Sequence, residues 1–239
     1  MTELLYQTDS YMKSFTAVVV GVDEINHAVI LDKTAFYPGG GGQPCDTGIL
    51  QTKTASFNVT KARKAGEDVL HFLEGAAPMP GVGETVSGTI DWERRYQLMR
   101  THTAMHILCG VIFRDYGASV TGGDMDPLQG RMDFEFETMQ KELVAEIEAA
   151  VNQAASQNLP VRTAILPRAE AFQIPDLIRT KINLLPEGIQ QVRVVEIVGL
   201  DLQADGGTHV HNTSEVGRIR VVDYKSKGKI NKRIYIALE

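Results

Sequence analysis

The first 88 residues alternate apolar and polar positions over short stretches that are separated by Gly, Pro and Asp. A period of two places successive side chains on opposite faces of a strand, so each stretch is predicted to be a β-strand. The predicted strands are residues 14–21, 28–33, 48–52, 56–61, 68–73 and 85–90. Short strands joined by turns at this spacing are typical of a small antiparallel β-barrel.

The period changes at Asp91, which is predicted to cap a helix that ends at Gly117. A second helix with strong apolar periodicity is predicted from Thr138 to just before Asn158, and Pro167 begins a short helical piece. Strands are predicted at residues 130–137, 161–166, 190–198, 218–223 and 232–237. The pattern therefore predicts an α+β chain: a small antiparallel β-barrel domain at 1–88, and an α+β domain at 89–239 whose helices pack on an antiparallel sheet.

Composition places the 239-residue chain among ordinary globular proteins, with 43% hydrophobic and 23% charged residues. Two cysteines are too few for a disulfide framework. The sequence shows neither a secretory signal nor a transmembrane run. A cytoplasmic protein without membrane contact is therefore expected. The net charge of −6 is unlike that of a duplex-coating protein, so any contact with nucleic acid must come from a local basic patch.

Two short motifs, about a hundred residues apart, each place two candidate metal ligands four residues apart. His102 and His106 fall on one face of the predicted first helix, because residues at i and i+4 are neighbours there. Asp205 and His209 flank Gly206-Gly207, which permits a tight turn. Three imidazoles and a carboxylate suffice for a tetrahedral zinc-type site. The alternatives are two histidines packed in a core, and a loop Asp capping a turn beside a surface histidine.

A zinc protease of the His-Glu-x-x-His class is not indicated, because its general base stands next to the first histidine. That position is Thr103 in this chain.

The motifs together resemble a known family. Arg-Thr-His-Thr-Ala-Met-His at 100–106 and Gly-Gly-Thr-His-Val at 206–210 resemble the editing domain of alanyl-tRNA synthetases. They are similar above all to the free-standing alanyl-tRNA editing proteins, the AlaX family. Phe-Tyr-Pro-Gly-Gly-Gly-Gly-Gln-Pro at 36–44 resembles the glycine-rich motif of the two-domain members, and Lys-Ser-Lys-Gly at 225–228 also fits. The resemblance covers nearly the whole chain in the same order.

The resemblance implies one bound Zn²⁺, with His102, His106, Asp205 and His209 as ligands. The family usually has Cys where this chain has Asp205. Zinc accepts carboxylate oxygen, although a harder ligand could admit another divalent ion. The identity of the fourth ligand therefore stays open, since three histidines and a water would also complete the site.

The resemblance implies an ATP-independent hydrolase that deacylates tRNA(Ala) carrying serine, and possibly glycine. A site that hydrogen-bonds the serine hydroxyl would leave polar groups unpaired when alanine enters, which gives strong discrimination. The resemblance makes Thr121 the predicted reader of this hydroxyl, since the family carries a threonine at about this distance after the first histidine pair, and Gln43 is a second candidate. A plain turn threonine is the competing interpretation of Thr121.

The glycine-rich motif has four consecutive glycines: Gly39, Gly40, Gly41 and Gly42. It lacks the Gly-Lys-Ser/Thr of a phosphate-binding loop. Two interpretations stay open, a plain turn and a flexible segment that lets the barrel domain approach the editing pocket or the bound RNA end. The resemblance favours the second.

The tRNA(Ala) acceptor end is the expected partner, and no obligate protein partner is inferred. Basic residues that could contact phosphates lie on the predicted first helix and in a predicted C-terminal hairpin: Arg94, Arg95, Arg100, Lys225, Lys227, Lys229, Lys232 and Arg233. Lysines in a hairpin also protect sheet edges, which is the competing interpretation. The competing functions are a metal-stabilised tRNA-binding module without hydrolysis and a metallo-esterase acting on small molecules.

Overall fold

The computed structural model describes residues 1–76, 78–180 and 188–239. The chain divides into two compact units, Met1–Tyr96 and Gln97–Glu239. The division lies within the first helix, several residues after the boundary that the sequence predicts between residues 88 and 89.

The first unit contains a closed barrel of antiparallel strands in the order β2-β3-β7-β6-β5-β8. The strands of this unit are β1 (Glu3–Leu4), β2 (Ser14–Asp23), β3 (Ala28–Leu31), β4 (Lys33–Thr34), β5 (Gly48–Gln51), β6 (Ser56–Ala65), β7 (Asp68–Glu74) and β8 (Thr85–Ile90). The barrel predicted from the alternating pattern is therefore confirmed. The short parallel pair β1–β4 lies outside it and carries too few residues to show a period.

The barrel interior is filled by apolar side chains from alternate strand positions, among them Phe15, Val19, Leu31, Leu50 and Phe57. A glycine on β8 makes room for one of these rings: a Cβ on Gly88 would lie 2.4 Å from Cε1 of Phe15.

A buried ion pair fixes the segment that follows the glycine-rich motif. The guanidinium of Arg95 is fully buried and contacts the Asp46 carboxylate through Nε, at 2.9 and 3.0 Å, and through Nη2. It also donates to the carbonyls of Ser10 at 2.9 Å and Ala35 at 2.6 Å, while Asp46 accepts the amide of Tyr37 at 2.6 Å. Arg95, offered by the sequence as a phosphate ligand, is instead part of the interior.

In its described residues the second unit contains two antiparallel sheets and three α-helices, which confirms the predicted α+β class; the pattern predicted one antiparallel sheet, and the structure has two. One sheet has the order β14-β15-β10-β9 and the other β11-β12-β13. The elements are α1 (Trp92–Tyr116, which begins in the first unit), β9 (Val120–Asp126), β10 (Gln129–Glu135), α2 (Lys141–Ser156), β11 (Val161–Pro167), α3 (Arg168–Ala171), β12 (Gln191–Ile197), β13 (Asp201–Ala204), β14 (Ile219–Ser226) and β15 (Asn231–Leu238).

The ends of α1 are those that the sequence indicates. Asp91 accepts the amide of Arg94 through Oδ1 at 3.2 Å, and Gly117 takes a φ of +66° while its amide donates to Phe113 at 2.9 Å. Helix α2 begins at Lys141, three residues later than Thr138. Two of its side chains bond the β14 backbone: Asn152 bonds both backbone groups of Ile219, and Glu148 accepts the amide of Val221. None of the helices in the described part of the chain is long and apolar enough to span a membrane.

Candidate metal centre

Helix α1 supplies the first half of the site. Residues 101–112 are all buried, so this part of α1 is covered on every side. His102 and His106 lie one turn apart on the same face, with ring centroids 5.1 Å apart. A helix buried all round carries no single polar stripe, and two buried imidazoles within it require polar partners.

The segment that follows β13 supplies the second half. Asp205 Oδ2 accepts the amide of Gly207 at 2.7 Å, and the amide of Asp205 donates to the Arg193 carbonyl on β12 at 3.1 Å. His209 Nε2 lies 3.0 Å from Asp205 Oδ2. Neither Gly206 nor Gly207 takes a positive φ, so the turn is held by the Asp205 side chain and not by unusual glycine dihedrals.

The two halves meet at one point. His102, His106, Asp205 and His209 each offer a ligand atom, and these atoms all lie within 4.8 Å of one another. His102 Nε2 is 3.5 Å from Asp205 Oδ1, and the ring of His209 stacks on that of His102 with a centroid distance of 4.3 Å. Three nitrogens and a carboxylate oxygen at this spacing form a group that could hold a metal ion, and the donor types suit zinc.

Burial and charge set the protonation of this group. Burial lowers the pKa of His102 well below its usual value, and lowers that of His209 to about 4. Burial also opposes the charged form of Asp205, but the nearby His102 and His209 outweigh it and hold the pKa of this carboxyl well below its usual range. Two neutral imidazoles and a carboxylate are the forms that bind a divalent ion.

His106 differs from the other two histidines. Burial acts to lower its pKa, but the hydrogen bond and the charge of Asp201 outweigh burial, so the pKa is raised. The contact joins His106 Nδ1 to Asp201 Oδ2 over 3.1 Å, and both side chains are buried.

Thr103 contacts the outer side of another histidine. Its hydroxyl lies 3.1 Å from His209 Nδ1 and accepts the amide of Val210 at 3.3 Å. This threonine occupies the position at which a His-Glu-x-x-His protease carries its base. In the sequence, Thr103 served only to exclude a zinc protease of the His-Glu-x-x-His class. Its place between His102 and His106 was the signal that it could support a ligand histidine.

The residues predicted to read the substrate lie in different units. Thr121 is exposed on β9, where its hydroxyl donates to Asn231 at 2.9 Å. Gln43 is buried in the first unit, where its amide donates to the Gly40 carbonyl at 3.0 Å. Cys109 is buried with a raised thiol pKa, in keeping with a core residue.

The glycine-rich motif forms a tight turn in the first unit. The backbone groups of Gly40 and Gln43 exchange hydrogen bonds of 3.1 and 3.0 Å, which leaves Gly41, an exposed residue, and Gly42 at the tip. Their φ values are +58° for Gly41 and +85° for Gly42, and Gly39 and Gly40 are also positive. Residues with a Cβ adopt such angles at a cost, so this turn requires glycine. The turn, which was one of the two interpretations of the glycine-rich motif, is present. The other interpretation, that this segment lets the barrel domain approach the editing pocket or the bound RNA end, stays a prediction.

Several of the basic residues have partners in the protein. Arg100 donates to the carbonyls of Val216 and Glu239, and Lys232 is buried with its ammonium on the carbonyls of Gly228 and Lys229. Arg233 forms a bidentate pair with Asp133 at 2.6 and 2.8 Å, and Lys225 pairs with Asp223 at 2.9 Å.

The loop between β14 and β15 leaves two lysines, Lys227 and Lys229, exposed. On the adjoining strand β15, Tyr235 has the Lys225 ammonium 5.0 Å and the Arg233 guanidinium 5.9 Å from its ring centroid. Sequence reasoning missed this tyrosine, although its alternate position on β15, outward from the buried face, was a signal.

Known proteins match both units. A family model for class II (A) tRNA synthetases matches residues 7–94, and one for the second additional domain of threonyl- and alanyl-tRNA synthetases matches residues 192–235. The chain is 40% identical to the alanyl-tRNA editing protein AlaX-M of Methanosarcina barkeri, over 100% of this chain and 99% of that one. It is 42% identical to AlaX-M of Saccharolobus solfataricus, over 100% of both chains.

A longer relative shows the same segment inside a larger protein. The alanine–tRNA ligase of Ignicoccus hospitalis is 38% identical over 92% of this chain, which corresponds to 24% of the ligase. Full-length identity of this order to several AlaX-M proteins, together with the gathered His/Asp group, establishes the family: the chain belongs to the AlaX-M alanyl-tRNA editing proteins.

Proposed function

We propose that this protein is a trans-editing hydrolase that cleaves the ester between a wrong amino acid and the terminal ribose of tRNA(Ala). Serine is the proposed main substrate acid, and glycine a further one. The names of the full-length relatives support the reaction, and the convergence of four ligand atoms within 4.8 Å supports its site.

The proposed cofactor is a single Zn²⁺ held by His102, His106, Asp205 and His209. When bound, such an ion would polarise the ester carbonyl or lower the pKa of a nearby water. The protein's own part is to keep two imidazoles neutral by burial and to hold the carboxylate ionised beside them. Thr103 fixes the ring plane of His209, so that Nε2 faces the other ligands.

Selectivity for serine over alanine requires a polar partner for one hydroxyl. Thr121 remains the proposed reader and Gln43 the second, from the resemblance to the family. Gln43 is buried, whereas Thr121 is exposed with its hydroxyl on Asn231, so Thr121 would read the substrate only where the bound acceptor end covers it. A covered polar partner that is satisfied only by serine would disfavour alanine by roughly 10⁴-fold, because it would otherwise stay unpaired.

The proposed contact with the tRNA acceptor end is the β14–β15 hairpin. Lys227 and Lys229 are exposed there, and Tyr235 between Lys225 and Arg233 offers an aromatic face of the kind on which bases stack. Arg100 and Lys232 would act on RNA only through the hairpin and the C-terminus that they hold in place. In the proposed division of labour, the barrel domain, residues 1–88, helps to place the acceptor end, and the domain of residues 89–239 carries the hairpin, the metal and the hydrolysis.

The test is release of the amino acid from tRNA(Ala) charged with serine, glycine or alanine. The parent protein should release serine much faster than alanine, His209→Ala should be inactive, and His27→Asn should match the parent. His27 is an exposed histidine in the β2–β3 turn, with a positive φ that Asn tolerates. Binding without release would favour a tRNA-binding module, and hydrolysis of simple esters in preference to charged tRNA would favour a small-molecule esterase.

A further inference from the structure

We infer that Asp201 is a positioning residue for the metal centre, acting through His106. This inference rests on the proposed metal site. By accepting a hydrogen bond from the outer nitrogen of His106, Nδ1, the Asp201 carboxylate would keep the proton there and leave the inner nitrogen, Nε2, with a free electron pair directed at the ion.

The contact fixes which nitrogen carries the proton. His106 Nδ1 lies 3.1 Å from Asp201 Oδ2, and the Asp201 side chain has no exposed surface. An ionised carboxylate only accepts hydrogen bonds, so Nδ1 must be the protonated nitrogen. Nε2 is then the ligand atom of His106, and its direction follows from the orientation of the carboxylate.

The carboxylate is itself held by two other side chains. Gln203 Nε2 donates to Oδ2 at 2.6 Å, and Arg179 Nε donates to Oδ1 at 3.4 Å. The Arg179 guanidinium lies 3.7 Å from the ring centroid of Phe113 on α1. Arg179 offsets the buried charge of Asp201, and the amide of Gln203 limits its rotation. The carboxylate therefore presents a fixed acceptor to the histidine ring.

A glycine on α1 allows this approach. Gly110 lies one turn after His106, and a Cβ there would come within 2.9 Å of Asp201 Cβ and 3.0 Å of the Leu200 carbonyl oxygen. Glycine inside a helix costs about 1 kcal/mol relative to alanine. Because the start of β13 lies so close to α1, a side chain at position 110 would clash, which explains the glycine. The same close approach brings Asp201 to His106.

A purely structural role is the competing explanation, since Asp201 also pairs with the partly buried Arg179. The two explanations differ in what they predict for metal affinity. Loss of a positioning residue raises the dissociation constant of the metal and leaves the stability of the metal-free protein unchanged. Residues that hydrogen-bond to ligating histidines typically change metal affinity about 10- to 100-fold. A structural residue affects the stability of the protein with and without metal alike.

The experiment is zinc affinity, measured by chelator competition on the full chain without RNA. Asp201→Asn keeps the shape and one acceptor, so the dissociation constant should rise about tenfold; Asp201→Ala should raise it about 100-fold. Asp124→Asn, at an exposed aspartate on β9, should bind zinc like the parent. Urea unfolding of each metal-free variant reports the fold separately. Metal-free Asp201→Asn as stable as the parent, but with weakened zinc binding, supports the inference.

Zinc binding by Asp201→Asn equal to that of the parent would overturn it. A parent that binds no metal would overturn the proposed centre as well, which is a distinct result. Histidine ¹⁵N spectra of the zinc-loaded parent test the inference without any variant. They should show His106 protonated at Nδ1, and a deprotonated Nδ1 bound to zinc would overturn it.

Discussion

The Thr103 hydroxyl lies 3.1 Å from Nδ1 of His209, so a residue between the two helical histidines supports the histidine that comes from the other end of the unit. The same oxygen accepts the amide of Val210. One helical turn therefore contributes two candidate ligands directly and orients a third. This arrangement couples the position of residues 205–209 to that of α1.

Replacing Thr103 by Val should weaken zinc binding about tenfold, because the His209 ring loses its outer partner and the Val210 amide loses its acceptor. Thr103→Ser keeps the hydroxyl and should stay close to the parent. Zinc titration against a competing chelator measures both. Loss of zinc affinity in Thr103→Ser but not in Thr103→Val would point to packing of the threonine methyl group as the cause, and not to the hydrogen bond.

The carboxylate at Asp205 should set the preference among metals. Asp205→Ala should lose zinc affinity by about 100-fold or more, since even indirect partners of ligands are worth 10- to 100-fold. Asp205→Cys should retain zinc and disfavour Mn²⁺, because a thiolate is a softer donor than a carboxylate. Competition between zinc and manganese on each variant checks this. Unchanged affinity in Asp205→Ala would show that the three histidines bind the ion alone.

A buried histidine in the barrel should make the first unit sensitive to acid. His71 donates from Nδ1 to the Val29 carbonyl over 3.2 Å, and its Nε2 accepts the hydroxyl of Thr34 over 2.8 Å. Burial lowers its pKa to about 4, from 6.5 in the unfolded chain. The unfolded state therefore binds the proton more tightly, and stability falls as the pH drops from about 6.5 to 4, by roughly 3 kcal/mol at the end of this range.

An asparagine in place of this histidine would keep one donor and not titrate, so His71→Asn should flatten that dependence. Trp92, the single tryptophan, belongs to the first unit and reports its unfolding in urea. The free energy of unfolding of both proteins is measured between pH 7 and 4. As the pH falls, the variant should become more stable relative to the parent. A difference independent of pH would show that folding leaves the pKa of His71 unchanged, and would contradict this account.

Removing one partner of the buried Arg95–Asp46 pair should destabilise the first unit strongly. Arg95→Met leaves a buried carboxylate without a counter-ion and two carbonyls without a donor, at a cost of about 3–5 kcal/mol. Arg63→Met, at an exposed position on β6, should cost little. Urea unfolding followed by Trp92 fluorescence compares the two, and similar midpoints for both variants would contradict this role of the pair.

Charge reversal at the β14–β15 loop should weaken tRNA binding in a salt-dependent way. Lys227→Glu and Lys229→Glu, tested singly, should each lower affinity and reduce the slope of log affinity against log salt by about 1, the loss of one phosphate contact. Lys141→Glu, which makes the same change of charge on α2, should leave the slope unaltered. An equal effect of all three substitutions would show a response to net charge and not a contact.

The sequence predicted features whose determining residues lie close together in the chain, and missed those that depend on residues far apart in it. Periodicity predicted the barrel strands and α1, and Asp91 and Gly117 predicted the helix ends, because those signals lie within a few residues of what they determine. His102 and His106 were found by their helical spacing, and Asp205 and His209 by their motif. That all four converge follows from contacts of α1 with Asp201 and with residues 209–210, which lie far away in the chain. The residue types allowed a shared metal site, and the resemblance to a family strengthened that prediction.

The contacts that support the site and the barrel could not be predicted from the sequence, because their partners are far apart in the chain. Asp201 and His106 are 95 residues apart, and Asp46 and Arg95 are 49 residues apart. No local pattern marks a buried aspartate at the start of a short strand as the partner of a helical histidine. Arg95 shows the opposite error, since a basic residue at the start of a helix suggested a surface role. Its neighbours in the fold, not in the chain, decide that it is buried.

The most direct test of the metal-dependent editing proposed here combines metal content and activity in one sample. Elemental analysis of the purified protein should give one divalent ion per chain, and release of serine from seryl-tRNA(Ala) should stop when a chelator removes that ion and resume when zinc is returned. Full deacylation by a sample shown to contain no metal would contradict a role of His102, His106, Asp205 and His209 as the ligands of a catalytic ion.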